Sequence, residues 1–426
     1  MRQSANLSLL TAALLFFAGC GDSGDDKKGS QNAFSTKELL GEALFFDANL
    51  SFHRTQSCAS CHNPTHAFVD DRDNGFTAYA AAGVAAPVSL GDMGENELRD
   101  DNLGDRNAPT AAYAMFSPEF TTYTDIYDNT QYKGGQFHDG REPDLKGQAG
   151  GPPLNPVEMG MDSKGAVVER IKENSGYVGA FKSLYGSDVF DDNDTAYAAM
   201  AQAIGKFEKT DTFAPFDSKW DRFLACKADG GRESECLKPD TDNPDSSENW
   251  TMQEVTGRDL FFSLNNTNCA NCHTLASNST EVEKETFTNY EFHNLGVPPN
   301  PDILAHLGDA FIDEGLYNNP DVNDTAQRGK FKVPTLRNVA VTAPYMHNGV
   351  FKSLETVIKF YEFRRDPTTY PTNPETGEAW DAAEISDTID TTHLPSGSAL
   401  SEAKIAALVA FLKTLTDKRY EHLLEE

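Results

Sequence analysis

"LLGEALFFDANLSFHRTQSCASCH" (39–62) has a second version in "VTGRDLFFSLNNTNCANCH" (255–273). Both run Gly-x-x-Leu-Phe-Phe, then a polar stretch, then Cys-x-x-Cys-His. The glycine precedes the first cysteine by 17 residues in one copy and by 12 in the other. A period of roughly 210 residues is too long for a solenoid and reads as a duplicated domain. Each copy predicts an amphipathic helix, a turn and a short segment bearing two thiols and an imidazole.

The spacing points to chemistry. Two thiols on a Cys-x-x-Cys turn can form thioethers with the two vinyl groups of a haem, and the adjoining histidine then reaches the iron. A single copy also fits half a zinc site or a redox dithiol. Zinc needs four ligands close together, and here the pairs lie 211 residues apart. Two copies in matching contexts therefore predict two c-type haems. Cys58, Cys61 and His62 would hold the first, and Cys269, Cys272 and His273 the second. His62 and His273 are the expected proximal ligands of the iron.

Helical patterns also close each half. "NDTAYAAMAQAIGKFEKT" (193–210) begins with cap candidates Asp194 and Thr195. "SEAKIAALVAFLKTLTDKRY" (401–420) puts Ile405, Leu408, Leu412 and Leu415 on one face. The Gly-, Pro-, Asp- and Ser-rich stretch 227–249 reads as an inter-domain loop. Strand signals are few. The expected fold is mainly α, two cytochrome c-like haem domains in tandem with long loops. Residues 36–212 would form the first domain and 213–426 the second.

The chain of 426 residues is long enough for these domains, and at 38% hydrophobic residues it can bury real cores. Its formal charge of −30 argues against nucleic acid as a partner, since phosphate contacts need clustered Lys and Arg. An acidic surface suits solubility and could steer a basic partner. Residues 1–20 read as an export signal: Arg2, an apolar run from Leu7 to Ala18, then small residues before Cys20. Ala18-Gly19-Cys20 resembles the end of a bacterial lipobox, so Cys20 is the expected lipidation site, with a plain secretory signal as the alternative. Residues 21–35 follow as a flexible tether. No other segment reaches the ~20 apolar residues of a membrane span. Membrane contact is therefore expected only through the lipid, on the periplasmic side. In an oxidising compartment the leftover Cys226 and Cys236 are expected to form a disulfide, with two free thiols as the alternative.

Further stretches carry a resemblance. Besides the two Cys-x-x-Cys-His segments, they are "RNAPT" (106–110), "FHDGRE" (137–142), "LKGQAGGPPLNPVEM" (145–159) and "FKVPTLRNVAVTAPYMHNG" (331–349). Together these resemble the bacterial di-haem cytochrome c peroxidases, the family that includes the MauG enzymes, over roughly residues 36–420. The resemblance implies a peroxide-reacting N-terminal haem and a C-terminal haem that takes in electrons. It assigns Glu158 as acid–base group above the first haem, with Gln148 ten residues earlier positioning the peroxide. Acid–base help is chemically sensible, because cleaving hydrogen peroxide moves a proton from one oxygen to the other. The resemblance also implies one calcium ion held by the Asn107 side chain and the carbonyls of Thr342 and Pro344, and a homodimer.

Three departures bear on mechanism. Many members carry a loop histidine that closes the peroxide haem until the other haem is reduced. The matching stretch "GENELRDDNLGD" (94–105) has none, and His66 follows the proximal ligand too closely to reach the opposite face. The first haem is thus expected to be open in the resting ferric state. Typical members place a methionine ligand fourteen residues beyond the histidine of the "PY-HNG" motif. Counting from His347 reaches Tyr361, and MauG-type members have tyrosine there. Tyr361 is thus the candidate distal ligand of the second haem, with a merely packed tyrosine as the alternative and Met346 as a second candidate. Finally, His138 stands between the haems where most relatives have tryptophan, and Thr267 stands where MauG has another.

The leading expectation is an exported peroxidase that reduces hydrogen peroxide to water with electrons from a small cytochrome or cupredoxin. A MauG-like oxidase that modifies a partner protein is the alternative, favoured by Tyr361 and the missing histidine and opposed by His138 and Thr267. A non-catalytic di-haem electron carrier would need a ligand closing the first haem.

Overall fold

Thr36 starts the first helix by accepting a hydrogen bond from the Leu39 N–H, and the helix runs Lys37–Phe45 with Leu40, Leu44 and Phe45 fully enclosed. It packs across helix Asn193–Phe207, whose inner face carries Ala196, Met200, Ala203 and Ile204. The crossing depends on Gly41. A Cβ there would lie 1.9 Å from the Ala203 carbonyl oxygen, so no other residue permits this approach. The second half repeats the device. Helix Met252–Phe261, capped reciprocally by Thr251 and Glu254, packs across helix Glu402–Lys413. A Cβ on Gly257 would lie 1.8 Å from the Ala407 carbonyl oxygen. The repeat seen in sequence is therefore a repeat of one helix crossing.

This architecture is described from a computed structural model for residues 34–92, 103–237, 249–263, 267–275, 285–394 and 397–425. It is mainly helical with long connections. The export signal, Cys20, most of the tether and residues 94–102 of the 94–105 stretch lie outside the described residues. Among the described residues no helix is long and apolar enough to cross a membrane.

Two apolar cores follow the two halves. One gathers residues from Leu40 to Ala214, the other residues from Trp220 to Leu415. Phe213 packs into the first, stacked on Phe68. Ile405, Leu408, Leu412 and Leu415 are all buried in the second, as their spacing predicts. Two small antiparallel pairs depart from the low strand expectation. Thr121–Thr124 pairs with Thr130–Lys133 as an exposed hairpin, and Phe292–His293 pairs with Phe331–Lys332. The first is readable from its β-branched threonines around the turn "DIYDN". The cap of helix Asn193–Phe207 is Asp192, which accepts from both the N–H and the hydroxyl of Thr195. Asp194 and Thr195 thus lie inside the helix and do not cap it. Cys226 and Cys236 form a disulfide, closing the loop around the short helix Glu233–Cys236.

Buried charge joins the halves. Arg106 donates to Asp139 at 2.6 Å and, through two nitrogens, to Asp313 at 2.6 Å. Both carboxylates are almost fully enclosed, and a bidentate guanidinium pair is the arrangement that offsets such burial. Tyr113 donates to Asp417, and Tyr420 to the Pro64 carbonyl, across the same divide.

Candidate haem sites and the space between them

Cys58–Cys61 forms a single helical turn, with Ser57 and Ser60 capping each other. His62 then leaves the helix, and its Nδ1 lies 3.1 Å from the Phe68 carbonyl oxygen. A carbonyl can only accept, so Nδ1 carries the proton and Nε2 is left with its lone pair. The second site is built alike. Cys269–Cys272 forms one turn, and His273 Nδ1 lies 3.1 Å from the Phe287 carbonyl oxygen. Phe68 and Phe287 are both buried and both have left-handed backbones, with φ of 56° and 57°. That strain aims each carbonyl at its imidazole. Burial also lowers the proton affinity of both rings, His273 to about 4, so each is a neutral imidazole with the Nε2 lone pair that a metal ligand needs.

The four thiols of the two motifs are free, while Cys226 and Cys236 are paired. Burial pushes Cys61 and Cys269 up to about 11 and Cys272 to about 12, and raises Cys58 further. Each pair of thiols is thus held protonated and unpaired on one helical turn. Two spaced thiols and one oriented imidazole, repeated twice, fit covalently attached haem.

A cavity of about 380 Å³ opens beside the second motif and reaches the region between the sites. Cys269, Cys272, His273, Met346, Tyr361 and His138 all line it. Tyr361 projects from helix Leu354–Arg365. Enclosure, and then the neighbouring Cys272, hold its phenol above the ordinary range. No group among the described residues hydrogen-bonds its hydroxyl.

Near the first motif, the Pro-rich loop folds through a tight turn at Pro152–Leu154. The Asp92 N–H donates to the Glu158 carbonyl, and the Glu158 N–H to the Asn155 carbonyl. Gly91 lets the chains touch, since a Cβ there would lie 2.4 Å from the Val157 oxygen. The Glu158 carboxyl is half-buried. Burial raises its proton affinity, opposed by the charge of Arg141 and by a hydrogen bond from Asn155. The segment it is tied to also meets this motif: Gln56, two residues before Cys58, donates to the Leu90 and Gly91 carbonyls. Gln148 stands on the short helix Leu145–Ala149, capped by Asp144, and its carbonyl accepts from the Gly151 N–H that starts the loop. Arg141 lies 3.7 Å over the Phe137 ring and pairs with Asp139.

His138 Nε2 donates to the Asn107 carbonyl at 2.9 Å. Burial, then the charge of Arg106, press its pKa down to about 3, so it is neutral at any ordinary pH. The Asn107 amide side chain donates to the Pro344 carbonyl at 2.7 Å. The structure thus brings Asn107 and Pro344 together, with Thr342 on the same cavity wall. Thr267 is tied to the Leu260 carbonyl. His66 is paired with Asp71 at the surface.

Fold and sites fit a c-type cytochrome with two haems. Comparison with known proteins narrows that class. A model of the di-haem cytochrome c peroxidase family matches residues 35–229. The methylamine utilization protein MauG of Paracoccus denitrificans is 43% identical over 390 residues, covering 91% of this chain and 90% of that one. Cytochrome c peroxidase Ccp of Escherichia coli K12 is 30% identical, covering 76% of this chain and 52% of that one. The crystal structure of the di-haem peroxidase BthA from Burkholderia thailandensis superposes with a TM-score of 0.72 at 28% identity, over 90% of this chain and 87% of that one. The chain belongs to the di-haem cytochrome c peroxidase and MauG family. It is a peroxide-using oxidoreductase with two c-type haems.

Proposed function

We propose that the protein reduces hydrogen peroxide to water at the N-terminal haem, using electrons that a small cytochrome or cupredoxin delivers at the C-terminal site. The observation that carries this reading is Glu158, half-buried and tied through Asp92 to the segment that Gln56, just before the Cys58–Cys61 turn, also holds. A haem bound through Cys58, Cys61 and His62 would supply the redox-active iron for cleaving the O–O bond. Glu158 accepts the proton of one peroxide oxygen and returns it to the other, which departs as water. Gln148 holds the peroxide for this transfer through its carboxamide. One peroxide, two electrons and two protons give two waters. The division into a peroxide-reacting domain (36–212) and an electron-entry domain (213–426) goes with this reading, as does a calcium ion drawing on Asn107, Thr342 and Pro344. For a cation, the Asn107 carboxamide would turn its oxygen inward and give up its bond to Pro344. Export to the periplasmic side and a lipid on Cys20 complete it, with a homodimer as the assembly. Steady-state oxidation of a reduced cytochrome tests it. Two equivalents oxidised per peroxide support the reading, and no peroxide-dependent oxidation overturns it.

The MauG-like reading, in which peroxide equivalents modify a partner protein, is favoured by Tyr361 in the second haem cavity and by the 43% identical relative. Against it, neither His138 nor Thr267 offers an indole to carry a hole between the sites. Tyr361→Phe is expected to change the absorption spectrum of the oxidised C-terminal haem, because tyrosinate is a hard anionic ligand. An unchanged spectrum would assign Tyr361 to packing.

The pH profile gives a second handle. The base must be ionised, so the rate rises with pH through the Glu158 pKa, which burial sets above the ordinary 4.5. Arg141 favours the ionised form. Arg141→Gln is therefore expected to move the acid limb of the peroxide rate to higher pH. A shift to lower pH, or none, would remove Glu158 as the titrating base.

A further inference from the structure

We propose that His293, Asp390 and His393 form a binding site for a divalent first-row transition ion that favours imidazole nitrogen, such as zinc. His293 Nδ1 and His393 Nδ1 each lie 2.7 Å from the same oxygen, Asp390 Oδ2. All three ligand atoms fall within 4.8 Å of one another. Two imidazoles and one carboxylate are a donor set that zinc takes with a fourth position left to water.

The supporting groups hold this set in place. Asp390 Oδ1 is fixed by the Thr392 N–H, the Thr392 hydroxyl and the His393 N–H, which leaves Oδ2 turned to the two rings. The Asp390 N–H donates to the Asn294 carbonyl at 2.8 Å, tying this loop to the segment that bears His293. His293 itself sits in the paired strand Phe292–His293, opposite Phe331. The ligands therefore come from two anchored segments, 97 residues apart in sequence.

A proton arrangement without an ion is faulty at one atom. With each Nδ1–H given to Asp390, His293 Nε2 is an acceptor buried with no donor, and the side chain is only 10% exposed. Its neighbour on that side, Glu291 Oε2 at 3.9 Å, is also an acceptor. An ion on Nδ1 moves the ring proton to Nε2, where it faces Glu291. The result is the carboxylate–histidine–metal arrangement in which the outer carboxylate orients the ligand. His393 is 46% exposed, which gives an ion a way in and its own Nε2–H a water partner. The carboxylates of Asp390 and Glu291 balance a doubly charged ion. A second proton on His293 would also satisfy Nε2, and the test separates the two.

Holoprotein would be dialysed against buffered zinc, and zinc and iron counted by mass spectrometry. One zinc per two irons is expected in the unmodified chain. Asp390→Asn and His393→Ala are expected to weaken binding by about 100-fold or more. His306→Ala, at an exposed histidine outside the cluster, should keep it. X-ray absorption at the zinc edge of the unmodified chain should show two nitrogen neighbours of the imidazole type and at least one oxygen. This last reading does not depend on any variant folding. No stoichiometric zinc, or zinc that survives both substitutions, overturns the proposal.

Discussion

Glu158→Gln is expected to slow the reaction of the oxidised protein with hydrogen peroxide by between about 100- and 10,000-fold, while both haems stay attached. The amide keeps the shape and can still donate, but it cannot take the peroxide proton. What the substitution removes is a step and not a fold, because Glu158 is anchored by its backbone. The Asp92 N–H holds its carbonyl, and its own N–H is held by Asn155. Stopped-flow rates across pH check this. The variant should lose the acid limb along with the rate. A variant that reacts as fast as the parent would leave the Pro-rich loop with a structural role only, and would pass the acid–base function to another group.

The second large effect is on folding. Gly41→Val and Gly257→Val should each destabilise the half that contains them by more than about 4 kcal/mol. In both cases the new Cβ would fall inside a backbone carbonyl, that of Ala203 or Ala407. A flexible side chain could turn aside, but a helix backbone has to shift as a whole, taking its buried face with it. Haem content per chain and denaturant unfolding measure the outcome. Loss of haem from the altered half, with the other half loaded, is the expected pattern. Wild-type stability in either variant would mean that the crossings are looser than described.

These glycines show how much the sequence could tell. The Gly-x-x-Leu-Phe-Phe repeat was visible, and its apolar positions foretold two buried helix faces. What the glycine does was not visible, because its partner lies some 150 residues further along the chain. The two Cys-x-x-Cys-His turns were legible because thioether attachment would confine its residues to five consecutive positions. The carbonyls that orient them were not. Phe68 and Phe287 act through their backbones, and a left-handed phenylalanine leaves no mark in composition or periodicity. Long-range charge pairing was equally silent. Arg106 meets Asp313 across 207 residues, and His293 meets Asp390 across 97. No motif surrounds His293 or His393 in the sequence. Glu158 and Gln148 are assigned through resemblance alone, since a glutamate in a loop is a surface acid by default. The hairpin at 121–133 runs against the low strand expectation, although its threonines and its Asp/Asn turn mark it.

The Cys58–Cys61–His62 haem is expected to be open to peroxide without prior reduction. Mixing oxidised protein with one equivalent of hydrogen peroxide and following the Soret band by stopped flow tests it most directly. A fast shift is predicted. No shift until an electron is supplied would mean that a ligand closes that face, and would contradict the account.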